Sequence, residues 1–177
     1  MAIRPLVLYP DPVLFKPTEP VSEVDDTVRD LVRDMTETMH FSAGIGLAAN
    51  QVGASMRVCL IDESAGRDPE ALLVLINPQI LEENGELEEG EEGCLSFPDI
   101  NLQIKRSGRI KVSALDITGT PFTLEAEGLL GRVVMHECEH LDGYTFLRKL
   151  SPLKRELVKR QIRKRIEKGT WTGPSVP

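Results

Sequence analysis

The chain has 177 residues, of which 41% are hydrophobic and 28% charged, and a formal net charge of -7. This size and composition predict one globular domain over residues 1–177, since no repeat, linker or low-complexity segment divides it. No apolar run of about 18 residues is present, which excludes a membrane-spanning helix. Prolines interrupt the N-terminus where a signal peptide needs an apolar stretch, and three cysteines do not suggest a disulfide framework, so we expect a cytoplasmic protein.

Hydrophobic periodicity predicts three helices, with short strands between the first and second. Apolar residues three and four positions apart predict an amphipathic helix over residues 25–40. A helix over 128–142 follows the strands, and Ser151-Pro152 is a typical start for a last helix. The predicted strands are 57–62, 72–77, 100–104, 109–115 and 121–127. This order of elements predicts an α+β fold.

The charges are distributed unevenly. Residues 151–168 carry eight Lys or Arg against two Glu, a local charge of +6. Glutamates are concentrated between residues 82 and 92, where Asn84-Gly85 predicts the tip of a solvated strand-turn-strand. We expect these glutamates to be exposed to solvent, with the exception of Glu92, which lies two residues before Cys94.

The sequence His136-Glu137-Cys138-Glu139-His140 lies in the second predicted helix. At about 100° per residue, the two histidines are about 40° apart and can bind one metal ion. Glu137 projects beside them, where its carboxylate could take a proton from an attacking water. Cys138 points to the other side of the helix. Leu129 and Val133 lie on the histidine face and would line such a site.

Two histidines need a third ligand, and the sequence offers several. The extended metalloprotease pattern requires a third histidine where this chain has Phe146, so that class is excluded. A glutamate on the last helix, Glu156 or Glu167, would give a peptidase of the thermolysin type. Cys94, in the loop-like segment EEGCLSFP, is the favoured ligand, because a thiolate binds metals and this cysteine shows no strand or helix periodicity.

Three segments together resemble the peptide deformylases: GIGLAANQ at 44–51, EGCLS at 92–96 and HECEHL at 136–141. They occur in the family's order and with similar spacing, and weaker similarity extends over nearly the whole chain. The first segment also matches the glycine pattern of dinucleotide-binding proteins, but it follows a helix instead of a strand, so no dinucleotide is expected.

The resemblance implies mixed, mostly antiparallel strands around the central helix, with an N-terminal and a C-terminal helix. It implies removal of the formyl group from the N-terminal methionine of nascent peptides. It also implies a divalent metal, ferrous iron or in its place nickel, cobalt or zinc, on Cys94, His136 and His140. Glu137 would be the general base and acid, and the Leu95 amide and the Gln51 side chain would bind the oxyanion.

The resemblance further places the peptide substrate along Gly44, Ile45 and Gly46, with Leu129 and Val133 completing the methionine pocket with Ile45. It pairs Glu92 with Arg106 as a support behind the metal ligands.

The chain departs from the family pattern at two positions, Met135 and Glu139, where Gln and Asp are usual. Together with Arg132 these lie on the outer face of the predicted helix, so we expect altered packing or supporting contacts. The basic helix resembles an element that some members dock on the ribosome, although a merely solvated helix is an equal interpretation. Two other functions remain open, a peptidase with a glutamate ligand and a protein whose metal is only structural.

Overall fold

The computed structural model of the protein describes residues 2–174. Its strands form one antiparallel sheet in which spatial order follows chain order. They are β1 (Gly46–Ala48), β2 (Val58–Ile61), β3 (Leu73–Glu92), β4 (Leu102–Leu115) and β5 (Pro121–Glu127). The helices are α1 (Asp26–Phe41), α2 (Gly128–Leu141) and α3 (Pro152–Glu167). The predicted α+β class is confirmed.

The helices begin and end where local chemistry satisfies their free backbone groups. Asp25 accepts a hydrogen bond from the Val28 amide at 3.0 Å at the start of α1, and Ser151 caps α3 just before a proline. After α2 the chain turns at Gly143, whose φ is 77° and whose N–H donates to the His140 carbonyl at 3.0 Å. A Cβ there would lie 2.9 Å from the Phe15 carbonyl oxygen, so glycine is needed.

The predicted turn at Asn84-Gly85 is wrong. These residues form a bulge inside β3, which continues for 20 residues, and Asn84 is opposite Arg109 on β4. Lysine and arginine on β4 face the glutamates of β3, and opposite charges across strands favour pairing over a turn. Examples are Glu82 opposite Lys111 and Glu89 opposite Lys105. The connection between the two strands is instead the loop 93–101, which contains Cys94.

Two further differences from the predicted strands have local causes. The runs 100–104 and 109–115 are one strand, β4, because their intervening residues stay paired with β3. The three-residue strand β1 was not predicted, since it is too short to show a period.

Helix α2 is buried on several sides, and this position sets the environment of its histidines. Its Val134, Cys138 and Leu141 pack with strand residues such as Cys59, which is buried in β2. Met135, predicted on an outer face, is only 3% exposed and belongs to the same cluster. Helix α1 covers a second cluster, and α3 contributes Ile162 to a third. None of the helices in 2–174 has the length and apolar character needed to span a bilayer.

Candidate active site

Cys94, His136 and His140 meet at one point inside the molecule. Helix α2 places the histidines one turn apart, and the loop after β3 brings the thiol to them, 3.2 Å from Nε2 of His140. One nitrogen or sulfur atom from each residue lies within 4.8 Å of the others. Ligand atoms around a tetrahedral ion with bonds of about 2.1–2.3 Å are about 3.4–3.7 Å apart. The two nitrogens and one sulfur are therefore close enough to approach one ion, and their chemistry is that of a divalent transition-metal site.

Glu92 is the centre of the charged network behind these residues. Its Oε2 is 2.9 Å from Nδ1 of His136, which leaves Nε2 of that ring for the metal. Arg106 donates to both carboxylate oxygens, at 2.6 and 2.9 Å, and Arg132 donates to Oε1 at 2.8 Å. Burial by itself would raise the pKa of Glu92, but the hydrogen bonds from His136 and Arg106 lower it to about 2. The carboxylate therefore stays charged at neutral pH.

Glu139 extends this network towards the surface. Its carboxylate accepts a hydrogen bond from Arg106 at 3.2 Å and forms an ion pair with Lys149 at 3.0 Å. Arg106 is 2% exposed, and the two carboxylates that it contacts raise its pKa although burial opposes this. One of the two departures from the family pattern is thus a second partner for the buried arginine.

Without a bound ion, the two histidines have opposite electrostatic environments. Burial favours the neutral form of His136, but its hydrogen bonds with Cys94 and Glu92 raise its pKa well above the usual value. Burial lowers the pKa of His140 well below the usual value, and the nearby positive groups of His136 and Arg106 lower it further. His140 is therefore ready to bind a metal, whereas His136 must first lose a proton.

Glu137 lines the same cavity as Cys94 and His136, and its carboxylate has few hydrogen-bond partners. It is 4% exposed, and its Oε2 has no hydrogen-bond partner among the described residues. Burial raises its pKa to about 7, despite the lowering effect of His136 and Arg106. A carboxyl group with such a pKa can both accept and return a proton at neutral pH.

Gln51 lies beside the thiol of Cys94. A single turn, Ala49–Val52, follows β1 and presents the side chain, whose Oε1 accepts the Ala48 N–H at 2.9 Å. Its Nε2 donates to Ser96 Oγ at 3.1 Å and is 3.5 Å from Cys94 Sγ. The amide orientation is thereby fixed, with its nitrogen beside the thiol of the candidate ligand Cys94.

A cavity of about 560 Å³ opens onto these residues. All five residues predicted for substrate binding line it: Gly44, Ile45, Gly46, Leu129 and Val133. Val133 is buried, whereas Leu129 is half-exposed at the cavity mouth. A Cβ on Gly46 would lie 2.7 Å from Val133 Cγ1 and closer still to Glu137, so only glycine leaves space between β1 and α2 here.

The sequence did not reveal several residues that hold the site together. Asn50 donates its side-chain N–H to the His140 carbonyl, and Ser96 orients Gln51. The Phe146 ring packs edge-on against His136, with 5.5 Å between ring centres. Asn50 and Ser96 are next to predicted residues, and that proximity was the only available indication. Phe146 is ten residues away, and only the tertiary structure brings it to the site.

The alternative glutamate ligands lie elsewhere. The side chain of Glu156 is 64% exposed and pairs with Lys159, and Glu167 is exposed at the end of α3. The candidate metal group among residues 2–174 contains neither of them. A peptidase with a glutamate ligand is therefore not favoured.

Comparisons with known proteins identify the family. The model of the polypeptide deformylase family matches residues 3–156. The chain belongs to this family. A peptide deformylase of Acidobacterium capsulatum is 48% identical over 171 residues, which cover 97% of this chain and all of the relative.

Solved structures agree with this assignment. The crystal structure of a peptide deformylase from Legionella pneumophila has a TM-score of 0.88 and 37% identity, and the match covers 97% of this chain and 99% of the other. A peptide deformylase from Synechococcus elongatus in complex with actinonin has a TM-score of 0.84 and 38% identity, covering 90% and 86%.

Proposed function

We propose that this chain removes the formyl group from the N-terminal methionine of nascent peptides at the centre formed by Cys94, His136, His140 and Glu137. Metal-dependent deformylation is the activity of the family to which the chain belongs. The observation that carries the residue assignment is the convergence of three ligand atoms beside a buried carboxylate with a free oxygen.

Deformylation is hydrolysis of an amide, which needs a nucleophile, a stabilised oxyanion and a proton for the departing amine. A divalent metal held by Cys94, His136 and His140 would polarise the attacking water and lower its pKa. Glu137 takes the proton from this water through its unpartnered Oε2. The same carboxyl group then returns the proton to the leaving amine, for which its raised pKa is suited.

Gln51 and the backbone N–H of Leu95 stabilise the oxyanion. Gln51 Nε2 already points towards the ligand atoms, since its Oε1 is held by the Ala48 N–H. Leu95 follows the metal ligand Cys94 directly and lines the cavity. An oxyanion donor of this kind typically contributes about 3 kcal/mol to lowering the barrier.

The peptide lies extended beside Gly44–Gly46, where missing side chains let one backbone approach another. A Cβ on Gly44 would be 2.7 Å from Leu95 Cδ1, so a larger residue here would require the Leu95 side chain to move. Ile45, Leu129 and Val133 hold the methionine side chain by apolar contact. Glu92 and Arg106 act behind the ligands by orienting His136.

Ferrous iron is the proposed native metal, with nickel, cobalt or zinc as substitutes. Two imidazoles and one thiolate suit any of these ions, so the support for iron comes from the family resemblance. Metal analysis of protein purified without oxygen tests this choice. Zinc as the main metal in fully active enzyme would contradict it.

The setting of the reaction is also a proposal. We propose that residues 1–177 act as one catalytic domain in the cytoplasm, which three free cysteines support.

The α3 helix buries Ile162, and its exposed side is rich in lysine and arginine, so a contact with ribosomal RNA is electrostatically favoured. Salt-dependent co-sedimentation with ribosomes, lost when these cations are replaced, tests that contact.

The deciding experiment is formate release from formyl-Met-Ala-Ser, beside the acetylated peptide, with anaerobic ferrous or nickel enzyme. We expect formate from the first peptide and no acetate from the second. Cys94→Ala should lose both metal and activity, whereas Glu156→Ala should keep both. Absence of formate from the loaded wild-type enzyme would disprove the proposed function.

A further inference from the structure

The chain continues past α3 and returns to the substrate cavity. At Gly169, with φ at 67°, it turns back, and the Thr170 N–H donates to the Arg165 carbonyl at 2.9 Å. The next residues, 171–174, are here called the tail segment. Three of them line the same cavity as Cys94 and Glu137: Thr172, Gly173 and Pro174.

Trp171 fixes the tail segment to the body of the protein. Its Nε1 donates to the Tyr9 carbonyl at 2.6 Å, and the Arg165 guanidinium lies 5.1 Å from the centre of its ring system. Tyr9 stacks on Phe97 with 4.9 Å between ring centres. Arg165 also donates to the Pro98 carbonyl at 2.8 Å. The tail segment is therefore held against the loop that carries Cys94.

The tail segment lies at the mouth of the cavity. Thr172 and Pro174 are exposed, whereas Glu137 and Gln51 are buried deep inside. The reacting formyl group must reach those buried residues, and the methionine side chain lies in the neighbouring apolar pocket. What extends past the mouth is the peptide that follows the methionine.

We propose that the tail segment is a specificity-determining wall that contacts the peptide chain beyond its N-terminal methionine. This inference rests on the proposed function, because it uses the same cavity and substrate. The wall offers the Thr172 hydroxyl, the Gly173 backbone and the Pro174 ring. These groups would face an extended peptide at the positions after the methionine.

Steady-state kinetics with two substrates test the wall. Formylmethioninamide ends at the methionine, whereas formyl-Met-Ala-Ser extends past the mouth. The variants are Trp171→Ala, which releases the segment, and Thr172→Ala with Pro174→Ala, which trims exposed atoms and spares the fold. Lys168→Ala, an exposed residue outside the cavity lining, is the matched control.

The tail variants should raise KM for formyl-Met-Ala-Ser about three- to tenfold, the loss expected from a few contacts, with kcat unchanged. Their constants for formylmethioninamide should equal those of the wild type and the control. Unchanged constants for the longer peptide would refute the wall, and an equal loss for both substrates would instead assign the segment a structural role. A wild-type enzyme that releases no formate from either substrate would refute the proposed function itself.

Discussion

Two glutamate positions on the same strand, Glu89 and Glu92, behave as residues of two different regions. Glu89 is exposed on β3, opposite Lys105 on β4. Glu92, three residues later, is 6% exposed and bonded to two arginines and a histidine. A solvent-exposed charge pair adds little to the stability of the fold, whereas an unpaired charge inside the protein lowers that stability strongly. The chemistry of a glutamate is therefore set by what surrounds it.

The largest effect should come from Glu137, the buried carboxylate that no arginine neutralises directly. In Glu137→Gln the group cannot accept a proton, so kcat should fall about 10²–10⁴-fold. The amide has the same shape, so metal content and melting temperature should stay close to those of the wild type. A variant that keeps its kcat while retaining the metal would remove Glu137 from the mechanism.

Glu92→Gln, with Glu89→Gln as its control, tests the comparison directly. Losing the Glu92 charge leaves Arg106 and Arg132 short of a buried partner, which should cost about 3–5 kcal/mol in the free energy of unfolding. Metal affinity should fall about 10–100-fold, because His136 loses its orienting partner. Glu89→Gln should change the free energy of unfolding by less than about 0.5 kcal/mol. Equal effects at both sites, measured by urea denaturation and metal titration, would contradict the comparison.

The role of the Glu92 charge should also be visible in how the stability of the metal-free protein depends on acidic pH. The folded-state pKa of Glu92 is lowered from 4.5 to about 2, so its stabilisation is complete above pH 4.5. It is lost as the pH falls from 4.5 towards 2. The stability gap between the wild type and Glu92→Gln should therefore narrow over this interval. A gap that stays constant down to pH 2 would show that the carboxylate charge is not its source.

Gly46→Ala should have a smaller, local effect. The added methyl group would meet Val133 and the carboxylate of Glu137, which must move away. We expect kcat/KM to fall about tenfold, since small displacements of a catalytic group are costly. Gly53→Ala is a useful contrast, because its added Cβ is 3.9 Å from Val7 and outside the cavity. Its φ of 76° predicts lower stability with unchanged kinetics per folded molecule.

Metal affinity should depend gradually on pH. The raised pKa of His136 means that this residue carries a proton near neutral pH before the metal binds. Binding then releases that proton, so affinity should rise up to about tenfold per pH unit in this range. Titration with a divalent ion in two buffers of different ionisation enthalpy measures the released proton. A metal affinity that does not change between about pH 6 and pH 7.5 would exclude proton release from His136 on binding.

The sequence was most informative where chemistry is local. The spacing of His136 and His140 needs only helix geometry to predict that they share a face, and the Ser151-Pro152 start of α3 depends on adjacent residues alone. The turn predicted at Asn84-Gly85 failed because its outcome depends on β4, whose cations lie opposite the glutamates. Met135 was placed on an outer face because a helical wheel has no information on the sheet and helices around it.

The sequence by itself determined the helices, the α+β class and the ligand types, because these follow from periodicity, capping residues and side-chain chemistry. The tertiary structure alone decided long-range contacts that no sequence pattern had indicated: Glu92 with Arg132, Phe146 with His136, and the tail segment with the cavity. It also decided the electrostatics, since the raised pKa of Glu137 arises mainly from burial. Burial and long-range contact are properties of the folded chain, and no local pattern of residues encodes them.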